Sequence, residues 1–170
     1  MQLVLPSVKY QKSYLEALEE AKDETGVTVL IKPEPKQTFE QFVRCKIEQA
    51  KGLNLPEGFV PTTELWLIDK EEFIGRVSIR HRLTENLLRL GGHIGYYIRP
   101  SKRKMGYGKM ILKLALKEAK KLGIFKALVT CDDTNLGSAK IIEANGGILE
   151  NKVDNGRDNP LKRRYWIKIK

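Results

Sequence analysis

The segment Ile98-Arg99-Pro100-Ser101-Lys102-Arg103-Lys104-Met105-Gly106-Tyr107-Gly108, with the residues that follow it, restricts this chain more than any other. The run from His93 to Arg99 predicts a strand that Pro100 ends. From Gly106 to Leu122 the apolar residues Ile111, Leu112, Leu114, Ala115 and Ala119 recur at helical spacing, and Gly123 closes the helix. Lys109, Lys113, Lys117 and Lys121 occupy the opposite, solvated face. Strand, basic loop, paired glycines and long helix place a helix N-terminus beside a strand end. Main-chain amides there lack intrahelical partners, and glycine lets a ligand come close to them, so the segment is suited to an anion. Arg103, Lys104 and Lys109 add side-chain charge. No Asp or Glu occurs between Asn86 and Lys117 to offset them. Two common phosphate patterns are excluded. Ile111 stands where a dinucleotide fingerprint needs its third glycine, and no G-x-x-x-x-G-K-[ST] is present.

The rest of the chain supplies a frame for that segment. Its 170 residues, 41% of them hydrophobic, suit one α/β domain over 1–170. Lys12 to Asp23 reads as a helix, and a second one starts near Thr38 and stops near Gly52. Leu3–Val8 and Val27–Ile31 read as short strands, and Glu64–Asp69 with Phe73–Leu83 as a hairpin turning through Lys70-Glu71-Glu72. Lys126–Cys131 is a continuous apolar, hence central, strand. Asn135–Asn145 reads as a helix, and Ile148–Val153 with Arg164–Ile169 as a final pair. The fold class expected is a mixed, largely antiparallel twisted sheet flanked by helices.

Charge and cysteine usage narrow the function. With 31 Lys plus Arg against 21 Asp plus Glu, the net charge is +10, which favours a polyanionic partner. A basic nucleic-acid-binding module is one such reading. Interleaved aromatics are scarce, however, and no RNP, zinc-finger or helix-turn-helix signature appears, which argues against nucleic acid. Two cysteines, Cys45 and Cys131, exclude a disulfide framework and a Cys-rich zinc site. The N-terminus lacks a secretory pattern and no apolar run approaches the ~18 residues that span a bilayer, so a cytoplasmic protein without membrane or metal is expected.

At this point the sequence resembles the GNAT superfamily of acetyl-CoA-dependent N-acetyltransferases. Arg103-Lys104-Met105-Gly106-Tyr107-Gly108 matches its R/Q-x-x-G-x-G/A motif, and Ile98-Arg99-Pro100 its usual lead-in. Thr134 to Gly147 is similar to the superfamily's downstream Asn-and-helix block. The likeness extends over essentially the whole chain, and Gly92–Pro100 is similar to a bacterial subgroup of these enzymes. The resemblance implies acetyl-CoA as acyl donor, with its pyrophosphate on the backbone from Arg103 through Lys104, Met105, Gly106, Tyr107 and Gly108 to Lys109. It implies pantetheine pairing with the strand at Tyr97, Ile98 and Arg99, and Asn135 and Ser138 on the other wall. An amine acceptor and a homodimer are further implications.

The same resemblance implies direct attack of a primary amine within a ternary complex. The amine must lose a proton, since a lysine-type amine has a pKa of about 10.4. The superfamily's carboxylate at the start of the fourth strand corresponds to His93 here, with Glu85 as a second candidate base. Ile142 stands where a tyrosine commonly protonates the leaving thiolate. That departure also raises a non-catalytic acyl-CoA-binding protein as a reading.

Overall fold

The computed structural model describes residues 1–24 and 30–170. Most of the expected strand Val27–Ile31 therefore lies outside the described residues. In chain order the elements are β1 (Gln2–Val4), α1 (Gln11–Glu20), α2 (Phe39–Ala50), β2 (Thr62–Asp69), β3 (Glu72–Arg80), β4 (Ile94–Ile98), α3 (Tyr107–Lys121), β5 (Lys126–Asp132), α4 (Leu136–Ala144), β6 (Ile148–Val153) and β7 (Lys162–Lys168). The strands form one seven-stranded sheet in the order β1-β2-β3-β4-β5-β7-β6. Every neighbouring pair is antiparallel except β4 with β5. This is the mixed, mostly antiparallel α/β sheet that the patterning predicts.

Strand alternation assigns side chains to the two faces. Leu65, Leu67, Val77, Ile79, Ile94 and Ile98 pack with Ile111, Leu112, Ala115 and Ala119 of α3 and Ile142 of α4. Trp66, Ile68, Phe73 and Tyr97 point the other way, to α1 and α2. There Tyr14 stacks on Trp66 at a centroid distance of 4.6 Å and meets Phe73 edge-on at 4.9 Å, with Phe39 and Phe42 completing the cluster. The Tyr14 hydroxyl donates to the Ile31 carbonyl at 2.8 Å, so its one polar atom is satisfied. Thr38 caps α2 reciprocally with Gln41, each backbone N–H donating to the other's side chain.

Local chemistry shifts several ends from the sequence expectation. β1 stops at Val4 because Pro6 cannot donate and Ser7 accepts from the Lys9 N–H to start a single 3-10 turn. The β2–β3 turn uses only Lys70 and Glu71, with Lys70 at φ +56°, so Glu72 already sits opposite Asp69 in the ladder. β4 starts at Ile94, two residues past Gly92, whose φ is +67°. A Cβ at Gly92 would lie 2.6 Å from the Leu128 carbonyl oxygen, so β4 can begin against β5 only from a glycine.

Candidate active site

β4 and β5 meet at a single register pair, Ile94 with Val129, next to an N–H bond from His93 to the Leu128 carbonyl at 2.7 Å. Beyond it the strands diverge and leave a cleft of about 970 Å³ that reaches both faces of the sheet. The β3–β4 ladder sets which main-chain groups face the gap. Bonds from Arg80 N–H to His93 O and from Arg99 N–H to Ile74 O fix its phase. That phase commits Gly95 and Tyr97 to β3 and turns the N–H and C=O of Tyr96 and Ile98 toward the cleft. Of the strand residues expected along the ligand, Ile98 therefore turns its backbone to the cleft, Tyr97 lines the cleft with its backbone committed to β3 while Tyr96 presents its own, and Arg99 is absent from the lining.

The floor on the α3 side is a row of amides. Lys104 and Gly106 have φ of +62° and +85°, and this alternation bends the chain so that consecutive N–H groups converge. Among the described residues the N–H groups of Lys104, Met105, Gly106, Tyr107 and Gly108 have no hydrogen-bond acceptor. They lead into and open the fifteen-residue α3, whose dipole adds positive potential at that end. Lys104 and Lys109 line the cleft, whereas the Met105 side chain is exposed and Tyr107 packs on the core. Gly108 permits α3 to approach α4, since a Cβ there would lie 2.4 Å from the tip of Ile141. On the opposite wall Asn135 caps α4 by accepting from the Ser138 N–H at 2.9 Å. The Ser138 hydroxyl is 2.7 Å from the Tyr96 hydroxyl, and all three residues line the cleft.

The two arginines of the segment are used differently from the sequence expectation. Arg99 is buried and faces α1: its guanidinium meets Glu20 at 2.6 Å, Glu72 at 3.5 Å and Glu16 at 3.7 Å, and donates to Ser13. Arg103 pairs with Glu24, lies over the Tyr97 ring at 5.2 Å and donates through Nε to the Ile98 carbonyl at 3.0 Å. Its charge is thus already opposed by a carboxylate, and among the described residues the uncompensated cations at the amide row are Lys104 and Lys109. These contacts hold Glu20 and Glu24 below the usual carboxylate range, with the arginine hydrogen bond as the main cause in each.

His93 and Glu85 are not brought to the cleft. Glu85 is exposed on the connection before β4. The His93 ring packs toward Trp166 and its Nδ1 accepts from the Leu128 N–H at 3.0 Å. A neutral imidazole held this way carries its proton on Nε2 and has no free lone pair. Burial, reinforced by the nearby Arg80 charge, lowers the His93 pKa, and burial lowers that of His81. Both are therefore neutral in the native state, while an unfolded chain takes up protons below about pH 6.5. Stability is present in full above that value and falls as pH drops toward the lowered native pKa values. The urea midpoint is expected to be lower at pH 5.5 than at 7.5, and His93→Gln to narrow the gap. Equal midpoints would refute this assignment.

On the α1/α2 face the cleft is lined by residues that the sequence reading did not single out: Glu24, Arg76, Ser78, Arg80, Thr130, Asp132 and Lys162. One signal was present. Arg76-x-Ser78-x-Arg80 puts polar residues on alternate positions of an otherwise apolar strand, which marks one face of β3 as polar although it is sheltered. Among the described residues, no three His, Cys, Asp or Glu side chains converge as metal ligands would, and no helix is long and apolar enough to cross a membrane.

Comparison with known proteins agrees with this geometry. In fold, the chain is similar to the Microcin C7 self immunity acetyltransferase MccE, solved with acetyl-CoA and AMP (16% identity, 98% of this chain and 91% of that one, TM-score 0.67). It is similar to the Salmonella typhimurium acetyltransferase that modifies the N-terminal serine of ribosomal protein L7/L12 (14%, 99% and 94%, 0.67). A third similar fold is spermidine N-acetyltransferase SpeG from Vibrio cholerae (16%, 99% and 95%, 0.62). A comparison with curated proteins returns no match. The family model for the acetyltransferase (GNAT) domain matches residues 9–148. With the split sheet and the amide row in one cleft, that match makes this chain a member of the GNAT acetyltransferase family, an acyltransferase.

Proposed function

We propose that the protein transfers the acetyl group of acetyl-CoA to a primary amine by direct attack in a ternary complex. The observation that carries the reading is the β4–β5 split, which joins the amide row on the α3 side to a polar chamber on the α1/α2 side. The amides of Lys104 to Gly108, with Lys104 and Lys109, suit the diphosphate of the donor. The backbone of Tyr96 and Ile98 can pair with an extended amide-bearing arm as a partial strand. An acyl-enzyme has little support. Cys131 lines the cleft, but burial pushes its thiol up to about 11, so it stays protonated at neutral pH.

Proton transfer on the donor side falls to Tyr96. Ile142 is fully buried and carries no proton, whereas the Tyr96 phenol reaches the same cleft from the strand and is paired with Ser138. Burial raises its pKa, which keeps the phenol protonated and able to donate to a departing thiolate. The acceptor loses its proton through water, because the carboxylates on this wall, Glu24 and Asp132, are ion-paired. A CoA-release assay over a panel of amines, with calorimetry of acetyl-CoA binding, tests the whole reading. Absence of binding at millimolar acetyl-CoA would remove it. Within it, Tyr96→Phe is expected to lower kcat by about 100-fold, the lower end of acid–base effects, with KM for acetyl-CoA nearly unchanged. An unaltered kcat would leave the thiolate to solvent.

A further inference from the structure

Among the described residues, the part of the cleft that opens on the α1/α2 face holds one cation that no acid balances. Arg76 is paired with Glu64 at 3.4 Å, Lys162 with Asp132 and Arg103 with Glu24. Arg80 is different. Its NH1 donates to the carbonyl oxygens of Gly91 at 3.1 Å and Gly92 at 3.0 Å, which fixes the guanidinium in the cleft wall. Its Nε and second NH₂ have no hydrogen-bond acceptor, and no carboxylate is within ion-pairing distance, among the described residues. The segment 25–29, Thr-Gly-Val-Thr-Val, contains no acid that could serve. Two carbonyl dipoles orient this charge without neutralising it. A half-buried cation without a counter-charge is unfavourable unless something that enters the cleft supplies one.

The position of Arg80 says where that counter-charge belongs. Arg80 sits opposite His93 in the ladder, one pair from Ile79–Ile94, and Ile94 is the residue at which β4 parts from β5. The free side of the guanidinium is thus at the crossing point between the two faces. Glu24 and Asp132, the carboxylates that line the cleft among the described residues, are each engaged by a cation, as is Glu64 behind Arg76, so a polyamine would find no free carboxylate there.

Resting on the acetyl-transfer reading of the cleft, we infer that Arg80 receives an anionic group of the acceptor, a carboxylate or a phosphate, a few bonds from the amine. The substrate class is then an amino acid, an acidic peptide terminus or a phosphorylated amine. The guanidinium fork suits both anions, because each offers two oxygens to parallel N–H donors.

The test compares matched acceptors in the CoA-release assay: glycine and β-alanine against glycinamide, phosphoethanolamine against ethanolamine, and spermidine as the polycation. Anionic acceptors are expected to exceed their neutral partners in kcat/KM by about 10- to 100-fold, the range of a charge-assisted hydrogen-bonded contact. Arg80→Gln is expected to bring that ratio close to one and Arg80→Lys to restore part of it. The carboxylate and phosphate arms separate the two anions. Equal use of neutral acceptors or spermidine, or an unchanged ratio in Arg80→Gln, would overturn the inference. A turnover-independent arm titrates the free protein with acetate and inorganic phosphate while following the Arg80 Nε–H resonance. A saturable shift supports the anion site, and its absence at tens of millimolar refutes it. Acetyl-CoA calorimetry on the same sample reads the donor side separately. Lost donor binding with an intact anion response sinks the acetyl-transfer reading alone. Intact donor binding without the anion response sinks the role of Arg80 alone.

Discussion

Gly106→Val is expected to weaken acetyl-CoA binding by about 100-fold while the protein remains folded. At Gly106 an added Cβ meets no protein atom within 4 Å, so it projects into open space beside the row of unpaired amides. A branched side chain there occupies the volume in which an anion would contact those N–H groups. Losing two charge-assisted hydrogen bonds of about 1.5 kcal/mol each corresponds to roughly two decades in Kd. The φ of +85° adds a backbone cost of about 1–2 kcal/mol for a residue with a Cβ. That cost is well inside a typical stability of about 5–15 kcal/mol, so folding survives and binding does not. Isothermal calorimetry on the variant, with thermal unfolding as the check on folding, decides it. A Kd within threefold of the parent would show that the diphosphate does not rest on this loop.

Arg99→Met is expected to give the largest loss of stability among the charged residues of the site. Arg99 ties the end of β4 to Glu16 and Glu20 of α1 and Glu72 of β3, and its own side chain is only 8% exposed. Methionine keeps much of the volume and removes every polar contact. Breaking a fully buried pair costs about 3–5 kcal/mol. Here Glu16 and Glu72 are 50% and 42% exposed and can rehydrate, which lowers the expectation to about 2 kcal/mol. In a chain of this length that corresponds to a Tm lower by about 4–8 °C. An unchanged Tm would mean that the cluster contributes no net stability. Because Arg99 also fixes where the loop to Gly106 departs, acetyl-CoA affinity should fall along with Tm.

Much of this was legible from local pattern. Apolar spacing located α3 to within a residue or two, and Pro100 with Gly106 and Gly108 marked the loop of unpaired amides, because these signals depend on neighbours within one turn. The Thr38 cap was readable for the same reason. The use of Arg99 and Arg103 was not. Their partners Glu16, Glu20 and Glu24 lie some 80 residues upstream, at helical spacing that reads as an ordinary solvated face until α1 is docked on β4. His93 carried a reactive residue type, but its Nδ1 is claimed by an amide of β5 that only the sheet order brings near. Arg80 resembles any strand-end arginine until the carbonyls of Gly91 and Gly92 are found holding it. Tyr97 lines the cleft as expected, but its backbone is paired with β3 and that of Tyr96 is turned to the gap, because strand phase depends on the partner strand rather than on the strand's own sequence.

The lone register pair between Ile94 and Val129 also bears on the order of events during turnover. A passage open at both ends lets the two reactants arrive from opposite directions and touch only at its waist. On the proposed reaction neither would need to leave before the other enters, so the free thiol product could back out through its own door while the amide departs by the other. A single molecule threaded through both openings, with a diphosphate at one end and an acid at the other, would plug them together.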